Sequence, residues 1–383
     1  MVPSFIGSII ATIGVVLFAP LLAKWATSFG PAEYFALMIF AITCLTGLVT
    51  DKPIKTLVAA LLGIALALPG VDSITGVYRY TFDFVSLFDG IQFTTIIIGF
   101  FSISEILLML EQTNTGTKIS EKGKRMYFNL KEFLFSLPAM IRSAITGFIV
   151  GVLPGAGATI ASAITYTTEK KLARKDNQFG KGDVRGVAAP EAANNASANG
   201  ALIPMLTLGI PGSGTTAVMI GALTLYNITP GPQLFSQEPE LVWGLIASLF
   251  ICNVILLVLN LPLVGFFTKL LSIPKYILVP GIAIVSFTGV YALYSTTFDL
   301  FLVVLFGIFG YFLRKFDYPL SALILGYVLG DLMETNLRRA LSISNGDLDI
   351  LWASPISISL WVLALLVLSL PIYRLIRKKK QNQ

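Results

Sequence analysis

Leu153-Pro154-Gly155-Ala156-Gly157-Ala158-Thr159 breaks an apolar window that runs from 138 to 168. Proline removes a backbone donor and clashes with the preceding helical turn, while glycine lets the backbone fold back on itself. One membrane crossing takes about 20 apolar residues, so this interrupted window is too long to be a single rod. Both flanks are basic: Lys118, Lys122, Lys124, Arg125 and Lys131 precede it, and Lys170, Lys171, Arg174, Lys175, Lys181 and Arg185 follow it. Basic loops stay on the cytoplasmic side of a bilayer. The segment therefore reads as one that enters the membrane, breaks at Pro154-Gly155 and comes back.

Working outward, apolar windows recur at 4–23, 33–50, 54–71, 90–110, 187–226, 241–267, 276–294, 298–314, 319–337 and 350–373. With 138–168 they make about eleven candidate segments. Of the 383 residues 55% are hydrophobic and 13% charged, about half the charged share of a soluble domain. The expected fold class is an all-α polytopic membrane protein. The net charge of +6 is concentrated in the two basic flanks and in the tail Arg374, Arg377 and Lys378–Lys380. That is the pattern of membrane orientation, so no nucleic-acid partner is expected. Met1 to Ala23 lacks a basic leader and reads as a span, not a signal peptide.

The window 187–226 is interrupted too, at Leu208-Gly209-Ile210-Pro211-Gly212-Ser213-Gly214-Thr215-Thr216. It leads from a basic flank to Asn227–Glu240, a stretch without Lys or Arg, so it reads as a broken crossing that ends outside. In the same scheme Arg338 and Arg339 fall outside, against the charge rule.

Chemistry is narrowed by what is missing. The chain has no histidine, which excludes His-ligated metals and Ser–His or Cys–His nucleophile pairs. Cys44 and Cys252 each sit in an apolar window, so neither a disulfide framework nor a thiolate metal site is expected. Gly180-Lys181-Gly182-Asp183 spells the GxGD of aspartyl intramembrane proteases, but it lies in a basic loop and no Tyr-Asp pair supplies the second carboxylate. Gly155-Ala156-Gly157 follows no strand, so a dinucleotide reading fails. No enzyme activity and no cofactor are expected.

Helix breaks at membrane depth expose backbone groups, and are tolerated where protein or a wet cavity satisfies them. The half-helix starting near Ala158 and Thr159, and the one starting near Ser213, Gly214, Thr215 and Thr216, would aim N-termini at the membrane middle. Each carries about half a positive charge and free N–H groups suited to a carboxylate. Pro154, Gly155, Ala156, Gly157, Gly209, Pro211 and Gly212 would shape the two turns and complete the candidate binding site. The opposing helix ends near Leu153 and Gly209 offer carbonyls suited to sodium. A helix end stabilises an anion by about 0.3–2 kcal/mol, whereas burying a bare carboxylate costs tens in the Born limit. A co-bound cation, sodium or a proton, is therefore expected.

Between the breaks lies Ala189-Pro190-Glu191-Ala192-Ala193-Asn194-Asn195-Ala196-Ser197-Ala198-Asn199, with Pro190 suited to the first helical position. Glu191, Asn195 and Asn199 share one helix face. Asn194, Asn195 and Asn199 are candidate substrate contacts, with interhelical hydrogen bonding as the alternative, and Glu191 reads as a helix-start charge. The small residues permit close helix approach. Glu105, Asp331 and Glu334 lie near or within spans and are functional candidates, with interfacial placement as the equal alternative. Arg142 is expected to reach the membrane interface.

An internal repeat is visible. Pro31-Ala32-Glu33-Tyr34 is followed by Thr46-Gly47, and Pro274-Lys275-Tyr276 by Thr288-Gly289. Pro20 and Pro262 precede the two copies, and Leu61-Leu62-Gly63-Ile64 answers Leu305-Phe306-Gly307-Ile308. Counting crossings puts the copies in opposite orientations, the inverted-topology repeat of many secondary transporters. The second copy is preceded by both broken segments and the first by none, so the front of the first repeat is expected to be missing.

Gly151-Val152-Leu153-Pro154-Gly155-Ala156-Gly157-Ala158, Ala189–Asn195, Gly200–Thr216 and Pro230-Gly231-Pro232 resemble signatures of one family, as does Phe29–Ala36. It is the large membrane subunit of the tripartite tricarboxylate transporters. The resemblance implies a multi-pass permease of the bacterial inner membrane, working with a small membrane subunit and a periplasmic solute-binding protein that delivers a carboxylate, driven by an ion gradient. It also implies a further front stretch with its own Pro-Gly break. A truncated, non-transporting remnant or membrane scaffold is the alternative. The expected organisation is 1–110 as the remainder of the first repeat, 111–137 as a cytoplasmic loop and 138–235 as the broken-helix core, with a loop at 169–186. The rest of the second repeat and a last helix occupy 236–373, and 374–383 is a basic tail.

Overall fold

The computed structural model describes residues 1–46, 52–72, 74–111, 129–154, 157–173, 178–270 and 273–381. Gly47, Lys118, Lys122, Lys124, Arg125, Gly155, Ala156, Arg174 and Lys175, all singled out above, lie outside the described residues.

The chain opens with α1 (Val2–Ala26), α2 (Pro31–Cys44) and α3 (Pro53–Ala67), each with a proline in its first turn, where its missing N–H is no loss. A small antiparallel hairpin follows, β1 (Gly70–Val71) paired with β2 (Tyr78–Arg79). Next come α4 (Phe93–Ile97), a π-helical turn at Ile98–Ile103 and α5 (Ser104–Glu111). The central elements are α6 (Leu130–Val152), α7 (Gly157–Leu172), α8 (Arg185–Gly200), α9 (Leu202–Leu208) and α10 (Gly214–Leu225). A short α11 (Leu234–Gln237) leads to α12 (Pro239–Leu270), α13 (Lys275–Tyr294), α14 (Thr297–Lys315), α15 (Leu320–Ile343) and α16 (Pro355–Gln381).

Among the described residues six helices are long and apolar enough to cross a membrane: Val2–Ala26, Phe93–Glu111, Leu130–Val152, Pro239–Asn260, Lys275–Tyr294 and Thr297–Lys315. Pro31–Cys44, Pro53–Ala67, Gly214–Leu225 and Pro355–Ser369 are apolar but shorter. This is fewer full-length spans than the eleven windows, because the two breaks divide their windows and because α15 carries Asp331, Glu334, Arg338 and Arg339. Two of the spans are inside out: only 17% of the span window of α12, and of α13, is buried, with Ile255, Val258, Ile284 and Val285 exposed. Apolar surface of this kind is stable in lipid. The chain is a helical, multi-pass membrane protein.

Two helix groups, each with its own buried clusters, make up the fold. In the first, α1, α6 and α7 surround α8. Gly147 and Gly151 of α6 face Ala193 and Ser197 of α8, and Gly7 of α1 faces Ala192 so closely that a Cβ would overlap backbone atoms. The second holds α2, α3, α15 and α16, with α4, α5, α13 and α14 beside it. In it Ala60 and Ile64 of α3 meet Gly326 and Gly330 of α15, so those helices run parallel. Gly99 and Ile103 of the π turn meet Val303 and Gly307 of α14, which also run parallel. Ile210 and Ala217, on either side of the second break, are buried in the large cluster of the second group, while Leu202, Met205 and Leu206 of α9 pack with Val15 and Ala19 of α1. The second break therefore lies where the groups join.

Helix boundaries follow capping chemistry. The helix α6 begins at Leu130, inside the stretch read as the 111–137 loop, because Asn129 and Glu132 form a capping box. Pro190 is not the first residue of its helix. Asp183 accepts the Arg185 N–H at 2.9 Å and starts α8 five residues earlier, leaving Pro190 inside it. Cys44 is buried and Cys252 exposed.

Candidate functional site

The first break reverses the chain. Leu153 leaves the helical region (φ −76, ψ 121), Pro154 is buried, and Gly157 takes φ +66 at the start of α7, a conformation glycine adopts without Cβ strain. Ala158 is half-buried and Thr159 exposed in the first turn. The return leg is fixed by charge. Arg142 of α6 donates through Nε and Nη2 to the two carboxylate oxygens of Glu169 of α7, at 2.8 and 2.7 Å. The Glu169 side chain is 3% exposed and that of Arg142 52%. Arg142 thus does not simply reach for the interface: a carboxylate withdrawn from water needs a cation, and a planar guanidinium meets it on both oxygens.

The second break ends α9 at Gly209, with φ +69 and a Cβ position 2.6 Å from the Pro230 carbonyl oxygen, so a side chain is excluded by conformation and by space. The carbonyls of Pro204, Met205 and Leu206 accept the N–H groups of Ile210, Gly209 and Gly231 at 3.2, 3.1 and 3.3 Å. The carbonyl array expected to serve sodium at this end is largely taken by the chain itself. At Leu153 the backbone N–H bonds the Val150 carbonyl at 3.2 Å.

Buried Pro211 and Gly212 then lead into α10, whose start is capped by Ser213. The Ser213 N–H donates to Thr216 Oγ1 at 2.8 Å, and the Thr216 N–H donates to Ser213 Oγ at 3.3 Å. Two sequence-predicted contacts, Ser213 and Thr216, therefore spend their hydroxyls on the helix start. The N–H groups of Gly214 and Thr215 are the open donors of this turn, Thr215 is exposed, and the space around Gly214 is open. Gly212, by contrast, faces protein: a Cβ would stand 2.9 Å from the Cβ and 3.0 Å from the Cα of Ala201.

Adjacent residues of the α8–α9 junction bring the two breaks together. A Cβ on Gly200 would stand 2.6 Å from the Phe148 carbonyl oxygen and 3.3 Å from the Gly151 Cα, near the end of α6. Its neighbour Ala201 touches Gly212, just before α10. The end of the first half-helix and the start of the last thus lie against one pair of residues.

The asparagines go elsewhere. Asn199 donates through Nδ2 to Ser8 Oγ at 2.8 Å, Thr12 Oγ1 at 2.9 Å and the Ser8 carbonyl at 3.1 Å, tying α8 to α1. Asn195 donates to the Glu191 carbonyl at 3.2 Å, Glu191 accepts from Ser4 Oγ at 3.0 Å, and Asn194 is exposed. Glu191, Asn195 and Asn199 do share a face, and it is turned toward α1, not into the breaks.

On the far side of the second break a cavity of about 490 Å³ is lined by Gly209, Gly221, Thr224 and Pro230, by Tyr327 and Asp331 of α15, and by β1 of the hairpin with Phe88 and Gly90 after it. Ion pairs strap that hairpin to α15. Arg338 meets Asp72 at 2.7 Å and Glu334 at 2.8 Å, and Arg79 meets Glu334 at 2.5 Å. The Ile74 N–H and the Arg338 guanidinium hold the Asp72 carboxyl well below the usual carboxylate range. Sequence reasoning flagged Glu334 as ionisable and Arg338 as a breach of the charge rule; the missing signal was the partner, more than 250 residues away. Glu105 pairs with Arg314. Asp183 of the GxGD run pairs with Arg185 at 2.7 Å, which lowers its carboxyl pKa.

The model of the tripartite tricarboxylate transporter TctA family matches residues 1–325. An uncharacterised 52.8 kDa protein of the TAR-I ttuC' 3' region of Agrobacterium vitis is 38% identical over 379 residues, covering 99% of this chain and 76% of that protein. An uncharacterised protein of the TAR-II ttuC' 3' region of the same organism is 44% identical over 236 residues, covering 62% of this chain and 98% of that protein. No solved structure matches. The chain belongs to the tripartite tricarboxylate transporter TctA family.

Proposed function

We propose that this chain is the permease subunit of an ion-gradient-driven, binding-protein-dependent carboxylate transporter of the bacterial cytoplasmic membrane. The observation that carries the reading is the α10 start: two open N–H donors at Gly214 and Thr215, at the helix N-terminus that follows the second break. Such a site favours a carboxylate. In this reading the first break, through Pro154, Gly157, Ala158 and Thr159, contributes the other half of the site.

Orientation follows from the charges. Lys52 meets Asp317 at 2.6 Å, Lys55 the Phe316 carbonyl at 2.6 Å and Lys315 Glu111 at 2.5 Å. This gathers basic residues at the end of the molecule where α3 starts and α5 and α14 finish. That end is cytoplasmic on the positive-inside rule, and the hairpin and the end of α15 face outward. Arg338 is acceptable there because two acids neutralise it. Parallel packing of α3 on α15, and of α14 on the π turn, supports an inverted repeat. The short 316–319 turn makes α14 and α15 antiparallel, so α3 and α14, which carry the matched Gly63 and Gly307, point in opposite directions.

A small membrane subunit and a periplasmic binding protein complete the proposed machine, and sodium or a proton drives it. The test is reconstitution of the full protein with both partners in liposomes. Labelled carboxylate should accumulate only under an ion gradient; accumulation independent of any gradient would contradict the proposal.

A further inference from the structure

The 70–90 hairpin leaves a run of large apolar side chains uncovered. Tyr80, Phe82, Phe84 and Val85 follow β2, outside any spanning helix, and all four are exposed, Phe82 at 77% and Val85 at 74%. Apolar side chains of this size forgo about 1.5–3 kcal/mol each when left in water, and a contiguous exposed patch marks an interaction surface. Phe84 joins the patch to the spans. Its ring stacks on Phe298 at 6.4 Å, at the start of α14. Further along that span Phe301 is exposed, and Tyr291 and Leu293 are exposed at the end of neighbouring α13. The patch is therefore continuous with the faces that two spans present to lipid.

Depth along α15 says what covers it. The helix α3 ends at Ala67, level with Gly330, while α15 continues to Ile343, about 20 Å further at 1.5 Å per residue. The hairpin fills this step, tied through Arg79 to Glu334 and through Asp72 to Arg338. Just beyond, Ala340 packs with Ala32 of α2 and with Leu351. Exposed tryptophans mark that level: Trp352 follows Leu351, and Trp25 meets Phe29, just ahead of α2, with ring centroids 4.9 Å apart. Tryptophan collects at membrane–water interfaces, so the hairpin's attachments at Glu334 and Arg338 lie at that interface or on its lipid side. Two features limit the depth. Asp83 is exposed between Phe82 and Phe84, and a carboxylate is costly in hydrocarbon. The two-stranded sheet also has open edges, which hydrocarbon does not tolerate. The headgroup layer suits both.

We propose that the 70–90 hairpin docks on the phospholipid headgroup layer of the outer leaflet, with Tyr80, Phe82, Phe84 and Val85 set into the lipid interface. The Asp72–Arg338 and Arg79–Glu334 pairs hold it at that depth. This needs the spans to lie in a bilayer and does not need transport, so a failure of carboxylate accumulation leaves it standing.

The experiment is spin labelling of the full chain, reconstituted alone into vesicles of phosphatidylethanolamine and phosphatidylglycerol. Tyr80→Cys, Phe82→Cys and Val85→Cys are made singly in a background of Cys44→Ala and Cys252→Ala. Val285→Cys, on the exposed face of α13, is the hydrocarbon reference. Ser236→Cys, exposed in the stretch before α12, is the aqueous one. Collisions of each label with oxygen, and with a water-soluble nickel chelate supplied on both sides of the membrane, are then measured. The three hairpin labels should meet nickel severalfold less often than the Ser236→Cys label and more often than the Val285→Cys label, with oxygen collisions retained. Nickel collisions as frequent as at Ser236→Cys would place the patch in open water and overturn the proposal. Loss of both kinds of collision would mean burial against protein, a second copy of this chain, and would overturn it equally. Three sites, all exposed, keep the outcome independent of how any one variant folds.

Discussion

Arg142 and Glu169 grip each other across the first hairpin, guanidinium to carboxylate with two bonds of 2.8 and 2.7 Å. They stand on opposite legs at similar distances from the break, so the pair holds the reversal closed. Removing the arginine strands a carboxylate that is 3% exposed, whereas removing the acid leaves a half-exposed guanidinium that water can reach. Arg142→Met should therefore destabilise more than Glu169→Gln, by about 1–3 kcal/mol once the exposure of Arg142 is allowed for. The double variant should recover part of the loss. A double-mutant cycle on the melting temperature checks both statements, and equal single losses with strict additivity would dismiss the pair.

Gly212 is a packing residue. Its missing side chain makes room for Ala201, so Gly212→Leu should cost at least about 1–3 kcal/mol through overpacking. Any loss of substrate binding would be secondary. Thermal melting and ligand binding of this variant, compared at a temperature where it remains folded, separate the two.

Asn199 holds α8 against α1. Asn199→Leu abandons three contacts with Ser8 and Thr12 and leaves those groups without it, for about 1–3 kcal/mol of stability. Carboxylate affinity of the folded fraction should be unchanged. A drop in affinity at constant stability would return Asn199 to the site.

Much of this was legible from the residues. Pro154 and Gly157 mark the first break and Gly209 and Pro211 the second, because only a few residue types permit those backbone paths. The helix starts at Leu130 and Arg185 were missed because the capping box at Asn129 and the bond from the Arg185 N–H to Asp183 are local polar signals that an apolar window overlooks. The protein contacts of Ser213, Thr216 and Asn199 were not legible for a related reason. A hydroxyl or amide at a helix end is chemically suited to a ligand and to a neighbouring backbone alike, and sequence does not reveal which arrives first. Contacts such as Asp72 with Arg338 join distant stretches and have no local signature.

The hairpin strap depends on pH. Because the folded state holds the Asp72 carboxyl below its ordinary value of 3.8, the strap contributes fully above that value. The contribution fades as pH falls below it toward the depressed folded value. The wild type should lose melting temperature on acidification from pH 7 to pH 2, most of it below the ordinary carboxyl value. Asp72→Asn should melt a few degrees lower at pH 7, with the gap narrowing in acid. Melting curves across that range decide it, and a gap that widens toward low pH would contradict the assignment.

The most direct test lies at Gly214. Proline is at ease in the first position of a helix, and the extended Ser213 before it (φ −157, ψ 169) accepts a following proline. Gly214→Pro therefore deletes one of two open donors while sparing the helix. Equilibrium binding of a labelled carboxylate to the purified protein should weaken about tenfold, the worth of one charge-assisted hydrogen bond, with the melting temperature retained. Unchanged binding by a folded Gly214→Pro protein would mean that the start of α10 does not hold the acid.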